Sequence, residues 1–358
     1  MKILDRYILT KLLTTYVFVV LILVSVICVI DFTEKNDDFI RHKLTAYTIL
    51  TDYYINLFPY WSSLLSPITV FIATVFVTAK LASHTEVIAI LSSGVSFRRL
   101  MLPYLIGSAI IGMVNFGLIA YIIPNANKVR IAFERKYVVS PFYYDGRNVH
   151  IKVAPNVYVY MESYTNMTNS GYRFTMEEIE GTTLKQKLES DRITWDSTKH
   201  KWRIDNYKLR TFKGNEEKIT HGPPTDTLLN LLPKDFDSNY MLYETFTLPE
   251  LDRFIAELKS RGSDGVATYE IEKYVRFTNP FAIIILCLIG VIMSARKSRG
   301  GVGLQIAAGF VLAFIYIIFF IMTKTIADNG GLEPIIGVWI PNFMFAMVGI
   351  LLYKTVPR

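Results

Sequence analysis

Six stretches of this chain, residues 12–30, 58–79, 100–123, 277–295, 302–323 and 335–353, are apolar and contain no Asp, Glu, Lys, Arg or His. A helix needs about 20 mostly apolar residues to cross the hydrocarbon of a bilayer. A buried helix of a soluble protein rarely sustains that length without a charge, so the pattern predicts six transmembrane helices. Composition agrees. Hydrophobic residues make up 51% of the 358 and charged residues 19%, against about 25% charged in soluble domains. The only two cysteines, Cys28 and Cys287, exclude a disulfide scaffold and a cysteine-based zinc cluster.

Orientation follows from basic residues near the span ends. One side carries Lys2, Arg6, Lys11, Lys80, Arg98, Arg99, Arg296, Lys297, Arg299, Lys354 and Arg358; the short loops on the other carry Lys35, Arg41, Lys43 and Lys324. The larger set marks the cytoplasm, and both termini are expected there. The first span reads as an uncleaved anchor, being long for a signal-peptide core and lacking a convincing cleavage site.

Residues 125–276 then lie outside. Val149, Ile151 and Val153 alternate with His150 and Lys152; Val157, Val159 and Met161 alternate with Tyr158 and Tyr160; Lys201-Trp202-Arg203-Ile204-Asp205 and Tyr207, Leu209 and Thr211 continue the pattern. Period two with β-branched and aromatic residues predicts half-buried strands. Gly146, Pro155-Asn156, Gly171, Gly181, Gly214 and Gly222-Pro223-Pro224 punctuate them, as in a β-sandwich or jellyroll. At 247–261 the period changes. Thr247 is placed to cap a helix, Glu250 follows three residues later, Leu251, Phe254, Ile255 and Leu258 form one face, and Gly262 closes it.

Ion-coupled transporters usually carry ionisable groups inside the membrane, and these spans have none, although backbone carbonyls alone can coordinate sodium. The spans show no clear inverted repeat. No Gly-Lys pair occurs anywhere, so the chain has no phosphate-cradling loop of its own. Driven transport would need energy from a partner. His42, His150, His200 and His221 are scattered without metal-ligand spacing, and no nucleophile signature stands out. No metal, no bound cofactor and no nucleic acid are expected.

Loop 80–99 is the candidate cytoplasmic contact. Ser83 or Thr85 is placed to cap a helix, Val87, Ile88 and Leu91 form an apolar stripe, Ser92-Ser93-Gly94 ends it, and Glu86 is expected to face outward. A surface helix of this kind docks a soluble motor domain; it serves equally as a capped connector between two spans.

Here the chain resembles the LptF/LptG permeases, the membrane subunits of the lipopolysaccharide-exporting ABC transporter. The resemblance runs over nearly the full length. It rests on Ile3-Leu4-Asp5-Arg6-Tyr7-Ile8, on His84-Thr85-Glu86-Val87-Ile88-Ala89 with Ser92-Ser93-Gly94-Val95-Ser96, and on Pro124-Asn125-Ala126-Asn127. Leu248-Pro249-Glu250-Leu251, the run from Lys273 to Pro280 and residues 296–303 add to it. His84 departs from the acidic or charged polar residue frequent in the family. The resemblance implies an α-helical membrane protein with six transmembrane helices plus an inserted periplasmic β-jellyroll. The parts would be residues 1–124 with a coupling helix at about 83–96, residues 125–276 ending in a helix at about 248–261, and residues 277–358. It further implies a heterodimer with a homologous permease, a cytoplasmic ATPase dimer using ATP and Mg, and a periplasmic bridge of similar jellyrolls. Lipopolysaccharide would enter between the first and fifth spans. Ser83, His84, Glu86, Val87, Ile88, Leu91, Ser93 and Gly94 would form the ATPase-coupling surface.

A site for a phosphorylated, acylated lipid needs an apolar wall and cations at headgroup level. Lys35, Arg41, Lys43, Lys128, Arg130, Arg135, Lys136, Arg276 and Lys324 are candidates, with Lys35 foremost because it sits just above the first span. Each is also explained as a solvated flanking residue, some balanced by Asp31, Glu34, Asp37, Asp38 and Glu134. Leu304, Phe310, Phe314 and Ile318 are candidates for an apolar gate or for plain span packing. Ser108 and Gly112 form a small-residue patch, Asn279-Pro280 reads as a helix start, and Pro341 as a kink. The alternative function is a membrane-anchored receptor without transport. A membrane enzyme would need clustered carboxylates or histidines near the bilayer, and none is seen.

Overall fold

The structure is a computed structural model describing residues 3–139, 144, 147–214, 216–236, 241–261, 265–295 and 301–354. Lys2, Gly146, Gly262, Arg296, Lys297, Arg299, Arg358 and most of the 296–303 motif lie outside the described residues. The chain forms two compact units, one of Met1–Val138, Met241–Asp252 and Ala267–Arg358, the other of Val139–Tyr240 and Arg253–Val266.

The first unit is helical and, among the described residues, holds six helical runs long and apolar enough to cross a membrane. Helix α1 (Ile3–Arg41) has 39 residues and so is about 58 Å long, near twice the hydrocarbon thickness of about 30 Å. The predicted span is only its middle. After α2 (Ala46–Thr48) and a π-helical stretch, Ile49–Tyr54, the second predicted span turns out to be two helices, α3 (Ile55–Leu64) and α4 (Ser66–Ser83). Pro67 in the first turn of α4 explains the break, because it has no N–H to continue the ladder from α3. The short α5 (Glu86–Ser92) leads to α6 (Phe97–Gly117), a second π-helical stretch, Leu118–Ile122, and α7 (Ile123–Tyr137). The helical unit thus runs on to Val138, and the polar insert expected from 125 begins later.

The chain returns through α8 (Leu248–Arg261) to α9 (Val266–Ser294), α10 (Gly301–Asp328) and α11 (Pro334–Lys354). Helix α8 buries Leu251 and Ile255 and half-buries Phe254 and Leu258, the face the sequence predicts. Thr247 is tied to it by its N–H donating to Glu250 Oε2 at 2.8 Å, although its hydroxyl donates to the same oxygen instead of capping the helix. Asn279-Pro280 is not a helix start: α9 begins at Val266 and carries Pro280 inside it. Such a proline removes the N–H that would meet the Arg276 carbonyl one turn back; two residues further on, Asn342 of α11 donates to the Thr278 carbonyl at 3.2 Å. Pro341 likewise lies within α11.

The core joins Ile8 and Leu12 of α1 to Val70, Ala73 and Val77 of α4, Val87 of α5, Leu100 and Tyr104 of α6, and Ile283 and Val291 of α9. Small residues allow this approach. A Cβ at Gly112 would already stand 3.4 Å from Pro280, so α6 and α9 pack nearly backbone to backbone. Burial is uneven. In the most apolar 18 residues of each helix, 72% are buried in α4 but only 22% in α10 and 11% in α1.

The second unit is an eight-stranded antiparallel sheet. Strands β1 (Arg147–Ala154), β2 (Val157–Thr165), β3 (Ser170–Glu180) and β4 (Thr183–Asp196) follow one another as hairpins. Strand β4 is long enough to pair β5 (Lys201–Ile204) along one part and β6 (Tyr207–Lys213) along another. Strand β7 (Glu216–Gly222) extends β6, and β8 (Thr225–Thr227) extends β5. Gly181 turns β3 into β4 with φ of +61°, open to a residue without Cβ. Val159, Met161, Phe174, Ile193, Trp202 and Ile204 form the core. Trp202 is fully buried, and its indole N–H donates to the Leu231 carbonyl at 2.7 Å.

Trp202→Ala should destabilise this unit by about 3–5 kcal/mol. Trp202→Phe should cost less, since it keeps most of the volume but leaves the Leu231 carbonyl unpaired. Limited proteolysis of the full chain in detergent reads the difference: the Ala variant should be nicked within 139–240 well before the Phe variant.

Candidate functional site

Charge in the helical unit gathers in two clusters. Asp5 and Asp31, one in each, stand 26 residues apart on α1, about 39 Å along the helix. That exceeds the hydrocarbon thickness.

At the first cluster, Arg99 at the start of α6 grips buried Asp5 with both guanidinium nitrogens, at 2.6 and 2.7 Å. This is the two-pronged geometry that fixes orientation as well as charge. Tyr7 donates its hydroxyl to Glu86 of α5 at 2.9 Å, and Lys11 donates to that hydroxyl and lies 4.1 Å from the ring centre. Arg98 donates to Tyr353 of α11 at 3.0 Å. Glu86 is therefore half-buried and bonded within the chain, whereas the sequence placed it facing outward. Thr85 precedes α5 in the left-handed region, φ +63°, and gives the helix no side-chain cap; the Ser83 hydroxyl turns back to Lys80. Both capping expectations fail for the same reason, that the chain turns sharply between α4 and α5. Val87 is buried, with Ile90 and Leu91 beside the same core, while Ile88 is exposed. The inward stripe is Val87, Ile90 and Leu91. His84, Ile88, Ala89, Ser92, Ser93 and Gly94 form the outer surface.

The second cluster lies where the apolar part of α1 ends. Lys35 pairs with Asp31 at 2.8 Å and with Glu134 of α7 at 3.3 Å, and donates to the Tyr53 hydroxyl. Tyr53 donates onward to Asp31 and Glu134 at 3.1 and 3.2 Å, and Tyr54 to Asp31 at 3.2 Å. Arg130, one turn before Glu134, reaches Glu244 at 2.6 Å and stands 4.6 Å from the Tyr60 ring. Tyr60 and Asn127 also donate to Glu244. Arg276 of α9 pairs with Glu272 at 3.1 Å and donates to the carbonyls of Phe246 and Tyr243. Burial, and then the Asp31 and Glu134 charges, push the Tyr53 phenol above its ordinary value, so it remains a neutral donor. Burial likewise raises the Glu244 carboxyl, opposed by the charge of Arg130. A cavity of about 140 Å³ adjoins the cluster, lined by Tyr60, Asn127, Glu244, Glu272, Arg276 and Lys324.

The predicted cations therefore separate. Arg130 and Arg276 are buried and bonded to their own chain, and Lys35 is largely so. These three correct the expectation of solvent-facing headgroup contacts. Polar partners from distant sequence enclose them. Arg41 is exposed beside Asp38, and Lys43 is exposed in a turn bordering an apolar cleft of about 580 Å³ formed with Phe32, Phe39, Ile40 and Leu50. Lys128 pairs with Glu250 at the surface, and Arg135 and Lys136 lie on the exposed face of α7. Leu304, Phe310, Phe314 and Ile318 are all exposed, Phe314 most at 62%. Sequence reasoning missed the partners Tyr7, Tyr53, Tyr60, Asn127 and Glu244; only the charge balance of Asp31 and Glu134 hinted at the network. Among the described residues no three His, Cys, Asp or Glu side chains converge as a metal would need.

A family model described as lipopolysaccharide export system permease LptF/LptG matches residues 6–355. No curated protein matches the chain.

Arg130→Met leaves Glu244 buried without its cation, and should lower stability by about 3–5 kcal/mol. The double variant Arg130→Met/Glu244→Leu removes both charges and should regain most of that loss. Thermal unfolding of the purified chain in detergent checks it; equal losses in single and double variants would refute the pairing.

Proposed function

Because the chain belongs to the lipopolysaccharide export system permease LptF/LptG family, we propose that it is one half of a lipid-extracting permease driven by a partner ATPase dimer. The observation that carries this reading is the exposure of α1 and α10. Both are apolar for the length of a membrane, and both leave most of that surface uncovered by their own chain. A second, homologous permease placed against these two faces encloses an apolar chamber for acyl chains, with Leu304, Phe310, Phe314 and Ile318 on its wall.

The Asp5 end is assigned to the cytoplasm, with both termini, and the β unit to the periplasm, where it would hand lipopolysaccharide to a bridge of similar jellyrolls. Arg41, Lys43, Lys128, Arg135 and Lys136 are the accessible cations for headgroup phosphates, and arginine suits two-pronged contact with them. Lys35, Arg130 and Arg276 stand behind that rim and hold it in place. ATP bound with Mg by the partner moves α5 through its outer surface. The spans shift, the chamber narrows, and the lipid leaves the outer leaflet of the inner membrane.

Reconstitution with the homologous permease and the ATPase tests this. Lipid transfer should depend on ATP. Phe314→Arg sets a charge on the chamber wall, costly by about 2.5–3.5 kcal/mol at a bilayer centre, and should reduce transfer while the ATPase still co-purifies. Ile88→Asp should release the ATPase. A receptor without transport would keep its properties in both variants and purify without an ATPase.

A further inference from the structure

The corner between α4 and α6 is built to rock. Helix α5 has only 7 residues, and left-handed residues bound it at both ends, Thr85 at φ +63° and Gly94 at φ +88°. Glycine adopts that conformation freely; a β-branched threonine there is strained. Val87 seats α5 in the core, but apolar contact is non-directional and permits sliding. Among the described residues, the Tyr7–Glu86 bond is the one side-chain hydrogen bond from α5 to another helix. Two residues away on α1, the buried Asp5–Arg99 fork fixes α1 to α6. The first turns of α1 thus hold α6 by an ion pair and α5 by one hydroxyl, while the rest of α1 is the least buried apolar helix in the unit.

We infer that Tyr7 is a positioning residue that ties α5 to α1, so that displacement of α5 is delivered to the first span with the Asp5–Arg99 fork as its fulcrum. Lys11 supports the tie by holding the Tyr7 hydroxyl toward Glu86. Glu86 keeps its second carboxylate oxygen for a cation of the motor, so one side chain joins the motor to the lever. This inference rests on the permease reading.

Tyr7→Phe removes the hydroxyl and keeps the ring, hence the packing and the contact with Lys11. In the reconstituted complex the ATPase should still co-purify, and lipid transferred per ATP hydrolysed should fall about fivefold, the weight of one hydrogen bond. A Tyr7→Phe ratio reduced less than about twofold overturns the inference, including when both rates fall together. Hydrogen exchange of the chain alone in detergent reads the tie without any transport. Tyr7→Phe should speed exchange at 86–92 about fivefold, and unchanged exchange there overturns the tie. If the unsubstituted complex transfers no lipid while exchange responds, the permease reading fails and the tie stands.

Discussion

Hydrocarbon neither hydrates a charge nor offers it a hydrogen bond, and the helical unit is organised around that exclusion. Its middle holds no Asp, Glu, Lys, Arg or His from 12 to 30 on α1. Its charges are collected at two levels about 39 Å apart. At each level they bind segments that apolar packing alone would leave free to slide. Asp5 and Arg99 are 94 residues apart in sequence, Lys35 and Glu134 99, and Arg130 and Glu244 114. The last pair is more than an ornament of the surface. It fastens the segment that follows the β unit to the helix that precedes it.

Between the two levels, the helices divide by how much of themselves they cover. Helices α4 and α9 are the packed centre, with Gly290 of α9 against Thr74 and Phe71 of α4 and Pro280 of α9 against Gly112 of α6. Helices α1 and α10 lie outside it. The uncovered apolar surface resides on α1 and α10, each of which packs on α4 along one side only. That division suits a lever held against a stationary block.

The six spans were legible because exclusion of charge is a local property of sequence, readable one window at a time. The face of α8 and the strands β1, β2 and β5 were legible for the same reason, since their periods are short. What the residues did not disclose was contact. Lys35 was singled out as a headgroup contact by its height above the first span, whereas its bonds to Asp31, Tyr53 and Glu134 depend on the fold. Strand β7 is exposed along almost its whole length and carries no alternation to read. In a helix as short as α5, a stripe through Val87, Ile88 and Leu91 and one through Val87, Ile90 and Leu91 differ by a single residue, and only burial separates them. The break at Pro67 was written in the sequence, yet hydropathy runs through it unchanged.

The two π-helical stretches, Ile49–Tyr54 and Leu118–Ile122, belong to the second cluster's surroundings: the first holds Tyr53 and Tyr54 and leads to Tyr60, and the second leads to Asn127, Arg130 and Glu134. Each wide turn accommodates one residue more than an α-helix would. That surplus is taken up within the turn, so Tyr60 beyond the first stretch, and Arg130 with Glu134 beyond the second, keep the heading that an ordinary helix one residue shorter would give them. Loss of one residue from the wide turn lets it relax to ordinary helix with little rotation, whereas the same loss from the α-helix that follows rotates everything beyond by about 100°. The two wide turns are therefore the places where this unit absorbs a change in length.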